Sequence, residues 1–154
     1  KRIKNSLEIA KSSSWPLDTA LSYLSLAKLK LIEEEKNVNV YRIINKGIYF
    51  LRQSNDNNYL SKGLVFISNL LIEYNDYEKA KDYLEEAMDI ISQSNINLVL
   101  AEWYIVSIRL ELKNDLEKAY LYYKKALRLS SEINEYFIFK EELKKLEPNF
   151  KGEL

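Results

Sequence analysis

Asn75–Ala87 reads NDYEKAKDYLEEA, and Asn114–Ala126 reads NDLEKAYLYYKKA, nearly the same phrase 39 residues later. The second copy shows what the phrase encodes. Before it, Leu100–Leu112 (LAEWYIVSIRLEL) places Trp103, Val106 and Leu110 at helical spacing. Asp115 then suits a helix N-cap, because its carboxylate accepts the free amide hydrogens of a first turn. Glu117 follows where negative charge favours the helix dipole. Ala119, Tyr123 and Ala126 mark one face of a further helix. The reading is a helix, a tight turn and an antiparallel helix.

The pattern extends upstream. Leu64, Ile67 and Leu71 stand where Trp103, Val106 and Leu110 stand, and Ala80, Leu84 and Ala87 where Ala119, Tyr123 and Ala126 stand. About forty residues earlier, Leu24, Ala27 and Leu31 fill the first-helix positions, and Val40, Ile44 and Gly47 the second. The turn of this copy, EEEKNVNV, has lost the phrase. The connectors repeat as well: QSN occurs at 53–55 and again at 93–95. The small residues Ala80, Ala87, Ala119 and Ala126 let two helices approach closely, with Leu or Tyr filling the space beside them. One such hairpin cannot bury its apolar face, whereas stacked copies can.

Composition agrees. Three Gly and two Pro in 154 residues are too few turn formers for a sheet-rich domain. Long runs of Leu, Ala, Glu, Lys and Tyr favour an all-helical chain. Lys+Arg and Asp+Glu both total 23, so no basic excess points to nucleic acid, and none is expected to bind this segment. With no Cys and no His, disulfides, thiolate or imidazole zinc sites, Cys nucleophiles and His bases are excluded. No cofactor and no metal are expected. The longest apolar stretches are too short to span a bilayer, so a membrane is not an expected partner and the expected location is cytoplasmic.

Asp76-Tyr77-Glu78-Lys79-Ala80 and the set Trp103, Ala119, Tyr123, Ala126 resemble the tetratricopeptide repeat. The resemblance covers Leu17 to about Ser131 as three copies. This chain departs from the family pattern at its Leu-Gly pair, where Ser68, Ser107 and Lys28 replace Gly, and in lacking the Pro that often ends a copy. Its period of about forty exceeds the usual 34. Longer variants of this kind are similar to the helical-repeat domains of bacterial and archaeal signalling ATPases and transcription regulators. The resemblance implies a right-handed α-α superhelix of stacked antiparallel hairpins.

About eight helices are expected in one domain over 1–154: a leading helix at 1–13, hairpins at 17–53, 59–93 and 98–132, and a capping helix at 135–147. Pro16 suits a first helical turn. Lys1 enters a helical pattern directly, so the chain reads as part of a longer protein.

Paired acids such as Glu33-Glu34-Glu35, Glu85-Glu86 and Glu141-Glu142 can do acid–base chemistry when burial separates their pKa values. Adjacent helix positions diverge in direction, so these pairs read as solvated faces. No Gly-rich phosphate loop or nucleophile elbow occurs, and no enzyme activity is expected. Most of the 12 Tyr read as packing between copies.

The resemblance also implies where a partner sits, because in such superhelices the first helix of each copy lines the concave face. Carried over, that gives Ser22, Ser25, Leu29 and Ile32, then Lys62, Val65, Asn69 and Ile72, then Ala101, Tyr104, Ile108 and Glu111. The family's clamp for a terminal carboxylate is missing, since Ser25, Leu29, Phe66, Ala101 and Ile105 occupy its places. The expected site is therefore an apolar stripe of Leu29, Ile32, Val65, Ile72, Tyr104 and Ile108, with Lys62 and Asn69 as polar anchors. Tyr104 would carry the most binding energy. The expected role is a protein–protein interaction scaffold holding a peptide or helix, with self-association as another use of the surface. The alternative is a ligand- or peptide-sensing domain of a larger transcription regulator or signalling ATPase.

The small-residue reading has a direct check. Ala119→Leu should overpack the third hairpin and cost about 1–3 kcal/mol, read as a lower melting temperature; unchanged melting would place Ala119 away from a helix contact.

Overall fold

The computed structural model describes residues 16–32, 38–94, 97–133 and 136–150, together with Asn5. Among the described residues from Pro16 onward, seven α-helices follow one another: α1 Pro16–Ile32, α2 Val38–Gln53, α3 Asn57–Glu73, α4 Tyr77–Ser94, α5 Asn97–Asn114, α6 Leu116–Glu132 and α7 Phe137–Leu146. A short 3₁₀ turn, Glu147–Phe150, ends the described chain. No strand occurs among the described residues. The fold is an all-α helical repeat of antiparallel pairs. The expected leading helix at 1–13 lies, apart from Asn5, outside the described residues.

The hairpins are the tightest units: α1 packs on α2, α3 on α4, and α5 on α6. The small residues sit at these contacts, with Ala80, Ala87, Ala119 and Ala126 all at 0% exposure. Gly47 does the same in the first hairpin. A Cβ there would meet Leu24 Cδ2 at 2.7 Å. Between hairpins, a Cβ on Gly63 would lie 2.3 Å from Leu51 Cδ1.

The turns follow from Asx chemistry. Asp56 caps α3, its Oδ1 accepting from the amides of Asn58 at 3.0 Å and Tyr59 at 3.1 Å. Asp115 caps α6 through the Lys118 amide at 3.0 Å. Asn55 (φ 52°) and Asn75 (φ 60°) take the left-handed conformation that ends a helix, which Asn tolerates better than most residues. The repeated Asn-Asp phrase nonetheless closes two different turns. Asn114 stays helical and its Nδ2 donates to the Leu110 carbonyl at 3.1 Å.

Two hydrophobic clusters share α5 as a wall. Val99, Trp103, Val106 and Leu110 face the first cluster, built with α1 to α4. Ala101, Ile105 and Ile108 face the second, with α6, α7 and Phe150. The Trp103 indole donates to the Leu84 carbonyl at 2.8 Å, which satisfies its polar edge inside the core. Phe150 is fully buried, its ring centroid 4.7 Å from that of Tyr123.

Ser68 and Ser107, the departures from the family's Gly, are both buried but not equivalent. Ser68 Oγ donates to the Leu64 carbonyl at 2.8 Å, whereas Ser107 Oγ has no hydrogen-bond partner. An unpaired buried hydroxyl is costly. Ser107→Ala should therefore come out more stable than Ser68→Ala by about 1 kcal/mol, compared by chemical denaturation. Taking the difference cancels the shared gain in helix propensity; equal shifts would contradict the assignment.

Candidate functional site: a groove along the first helices

The first helices of the successive units, α1, α3, α5 and α7, line a continuous groove. One part of it is a cavity of about 370 Å³ between α3, α5 and α7. Val65, Phe66, Ile105, Val106, Ile138 and Phe139 form its apolar lining. A second cavity of about 370 Å³ between α1 and α3 continues it, lined by Leu21, Leu24, Ser25, Tyr59 and Gly63. Lys62 and Phe66 belong to both cavities. The Lys28 ammonium sits 6.0 Å from the Phe66 ring centroid, within cation–π range.

The polar groups of the groove are mostly paired with one another. Arg109 spans three helices: one guanidinium nitrogen donates to Asn69 Oδ1 on α3 at 2.8 Å, another to Glu142 Oε2 on α7 at 2.6 Å. Glu142 Oε1 also pairs with Lys145 at 2.6 Å. Lys145 and, after it, Arg109 hold the Glu142 carboxyl below the usual carboxylate range. At the other wall, the Tyr136 hydroxyl donates to Glu102 at 3.1 Å and Lys62 approaches the same carboxylate at 3.7 Å. Burial, then Glu102, pushes the Tyr136 hydroxyl up. Lys62 is more than half exposed, so its ion pair contributes little. What a ligand meets is thus mainly carbon. Among the described residues no group of three or more acids gathers to hold a metal ion.

The structure brings together Lys62, Val65 and Asn69 from the sequence-based set, and separates the rest. Val65 is the floor, at 2% exposure. Ile108 is fully buried in the second cluster, and Ala101 and Glu111 are buried as well. Glu111 pairs with Lys118, which it raises above the usual ammonium range. Tyr104 lies in another cleft, with Trp103, Met88 and Tyr122 between α4, α5 and α6. Its ring centroid is 5.4 Å from that of Trp103. Half-buried Leu29 and exposed Ile32 line neither cavity, and Ile72 packs against the first cluster. The six-residue stripe is therefore corrected. On α5 the groove-lining residues are Glu102, Ile105, Val106 and Arg109, one position later than a 39-residue step from Lys62, Val65, Phe66 and Asn69 on α3 places them. The reason is that α5 touches α3, α4, α6 and α7, so that only a narrow strip, carrying Glu102 and Arg109, is left free. Tyr104 then belongs to inter-helix packing rather than to this groove. Sequence reasoning also missed the contribution of the capping helix, through Ile138, Phe139 and Glu142.

A family model described as Tetratricopeptide repeat matches residues 61–94, which cover most of α3 and all of α4. A search of curated proteins and a search of solved structures each returned no match. The matched segment is thus similar to a tetratricopeptide repeat, in keeping with the all-α repeat fold. No helix among the described residues is long and apolar enough to cross a membrane.

One polar cluster locks the matched repeat to the hairpin before it. The Tyr41 hydroxyl on α2 donates to Asp76 Oδ2 at 2.6 Å, and Asp76 Oδ1 accepts from the Lys79 amide at the start of α4. The Lys79 ammonium sits 3.7 Å from the Tyr41 ring centroid. The hydrogen bond to Asp76, with burial, pushes the Tyr41 hydroxyl up to about 12 from 10.0. A raised phenol pKa means the folded chain keeps a proton that the unfolded chain loses. The contribution is complete below pH 10 and lost as pH rises toward 12. Ultraviolet titration of phenolate should show a late-ionising tyrosine that vanishes in Tyr41→Phe; an unchanged titration curve would contradict the pairing.

Proposed function

We propose that the chain is a protein–protein interaction scaffold whose concave groove takes an apolar segment of a partner, as a peptide or a helix. The observation that carries the reading is the pairing of Asn69, Arg109 and Glu142 and of Lys62, Glu102 and Tyr136 among themselves. These pairs leave Val65, Phe66, Ile105, Ile138 and Phe139 to meet a ligand. The tetratricopeptide match at 61–94 supports the interaction role. Large apolar side chains seated in a desolvated pocket carry most of the energy of such contacts. Ile138, 65% exposed at the rim, and half-buried Phe66, shared by both cavities, are the anchors offered to the partner.

A peptide-display library panned against the folded chain tests this. Peptides with closely spaced large apolar residues should be enriched. Phe66→Asp should weaken the best of them by about 2 kcal/mol or more with helicity retained, and Lys125→Ala, in the opposite cleft, should leave them unaffected. Enriched peptides indifferent to Phe66→Asp would overturn the groove as the binding site.

A further inference from the structure

Lys28 occupies the register position that Ser68 and Ser107 hold in the next two units. The two serines are buried, whereas Lys28 is exposed. Its ammonium lies 6.0 Å from the Phe66 ring centroid, and no ion pair involves it among the described residues. Lys62 stands one turn before Phe66 on α3 and lines both cavities with it. Lys62 is also loosely held, its side chain 58% exposed and 3.7 Å from Glu102. Two ammonium groups thus flank the ring that both cavities share. The lining of the cavity between α1 and α3 includes Lys62 and no carboxylate. The acid on α1, Asp18, is ten residues from Lys28. That is about 15 Å along the axis, beyond the screening length of about 8 Å at physiological salt. The acid on α3, Glu73, lies two turns beyond Phe66, where it accepts from Asn69 at 3.4 Å.

With the groove as the binding site, on which this inference rests, we propose that the partner is an acidic, apolar peptide segment. An aspartate or glutamate side chain next to the apolar residue seated on Phe66 is received by Lys28 and Lys62. Charge complementarity selects this occupant. A carboxylate there meets two cations beside an apolar wall, whereas a basic side chain would meet like charge. Glu102 keeps the Tyr136 hydroxyl when Lys62 turns to the partner, so the exchange strands no carboxylate. At the other end of the groove Arg109 is already paired with Glu142. The acid therefore fixes one direction of the segment, with its charged part on the α1 side. The carboxylate is an internal side chain, because Ser25, Leu29, Phe66, Ala101 and Ile105 fill the places of a terminal-carboxylate clamp.

The probes are peptides enriched by display on the folded chain, synthesised with free and with amidated C-termini and measured by fluorescence anisotropy. The enriched sequences should carry Asp or Glu adjacent to a large apolar residue. Replacing that acid by its amide should weaken binding about fivefold, and amidating the C-terminus should change nothing. The Lys28→Glu, Lys62→Glu double variant, panned with the same library, should enrich Lys or Arg at that place, a reversal that loss of folding could not produce. Peptides that are lost with Phe66→Asp yet show no preference for an acid, or keep it against the double variant, overturn the acidic partner while the groove stands. A requirement for the free C-terminal carboxylate overturns it too. Peptides indifferent to Phe66→Asp overturn the groove, and this inference with it.

Discussion

Close helix–helix approach through residues with little or no side chain is the constraint on which the structure rests. Ala80 and Ala87 on α4, Ala119 and Ala126 on α6, and Gly47 on α2 remove the bulk that would hold each hairpin apart. Leu24, Leu84 and Tyr123 then fill the space beside them. Gly63 extends the principle to the junction between units, where Leu51 of the first hairpin reaches α3. A continuous core forms only if these approaches repeat along the array, because each hairpin alone leaves an apolar face uncovered.

The groove is a consequence of that stacking. Four helices surround α5, and it divides its buried apolar side chains between two clusters. The strip left over carries Glu102, Ile105 and Arg109. Arg109 then ties α3 to α7 across the groove, and Glu142 keeps two cationic partners. The polar walls thus hold the shape of the groove, while its lining stays hydrocarbon. The Tyr41–Asp76–Lys79 cluster plays the corresponding part between the first and second hairpins.

The fold was legible because helix caps and small residues recur at fixed offsets. Asp115, Ala119 and Ala126 disclose a hairpin in one copy, and their match to Asp76, Ala80 and Ala87 discloses the array. Lys62, Val65 and Asn69 were legible in the groove through the same register. Tyr104 and Ile108 were misplaced because α5 offers no amphipathic contrast from which to read its free side, and a shift of one residue turns a helix by more than a quarter of its circumference. The role of α7 was hidden for another reason. No copy of the Asn-Asp phrase follows it in the sequence, so it reads as a cap, and the face it lends to the groove is not disclosed.

The central claim, that absent side-chain bulk sets the helix spacing, is tested most directly by the equilibrium stability of Gly63→Ala. In an unconstrained helix interior this change stabilises by about 1 kcal/mol through helix propensity alone. Here the new Cβ would meet Leu51 Cδ1 at 2.3 Å, and Leu51, at 1% exposure, has little room to move aside. A lower denaturation midpoint for Gly63→Ala is the result the account predicts, whereas a gain approaching the propensity value would contradict it.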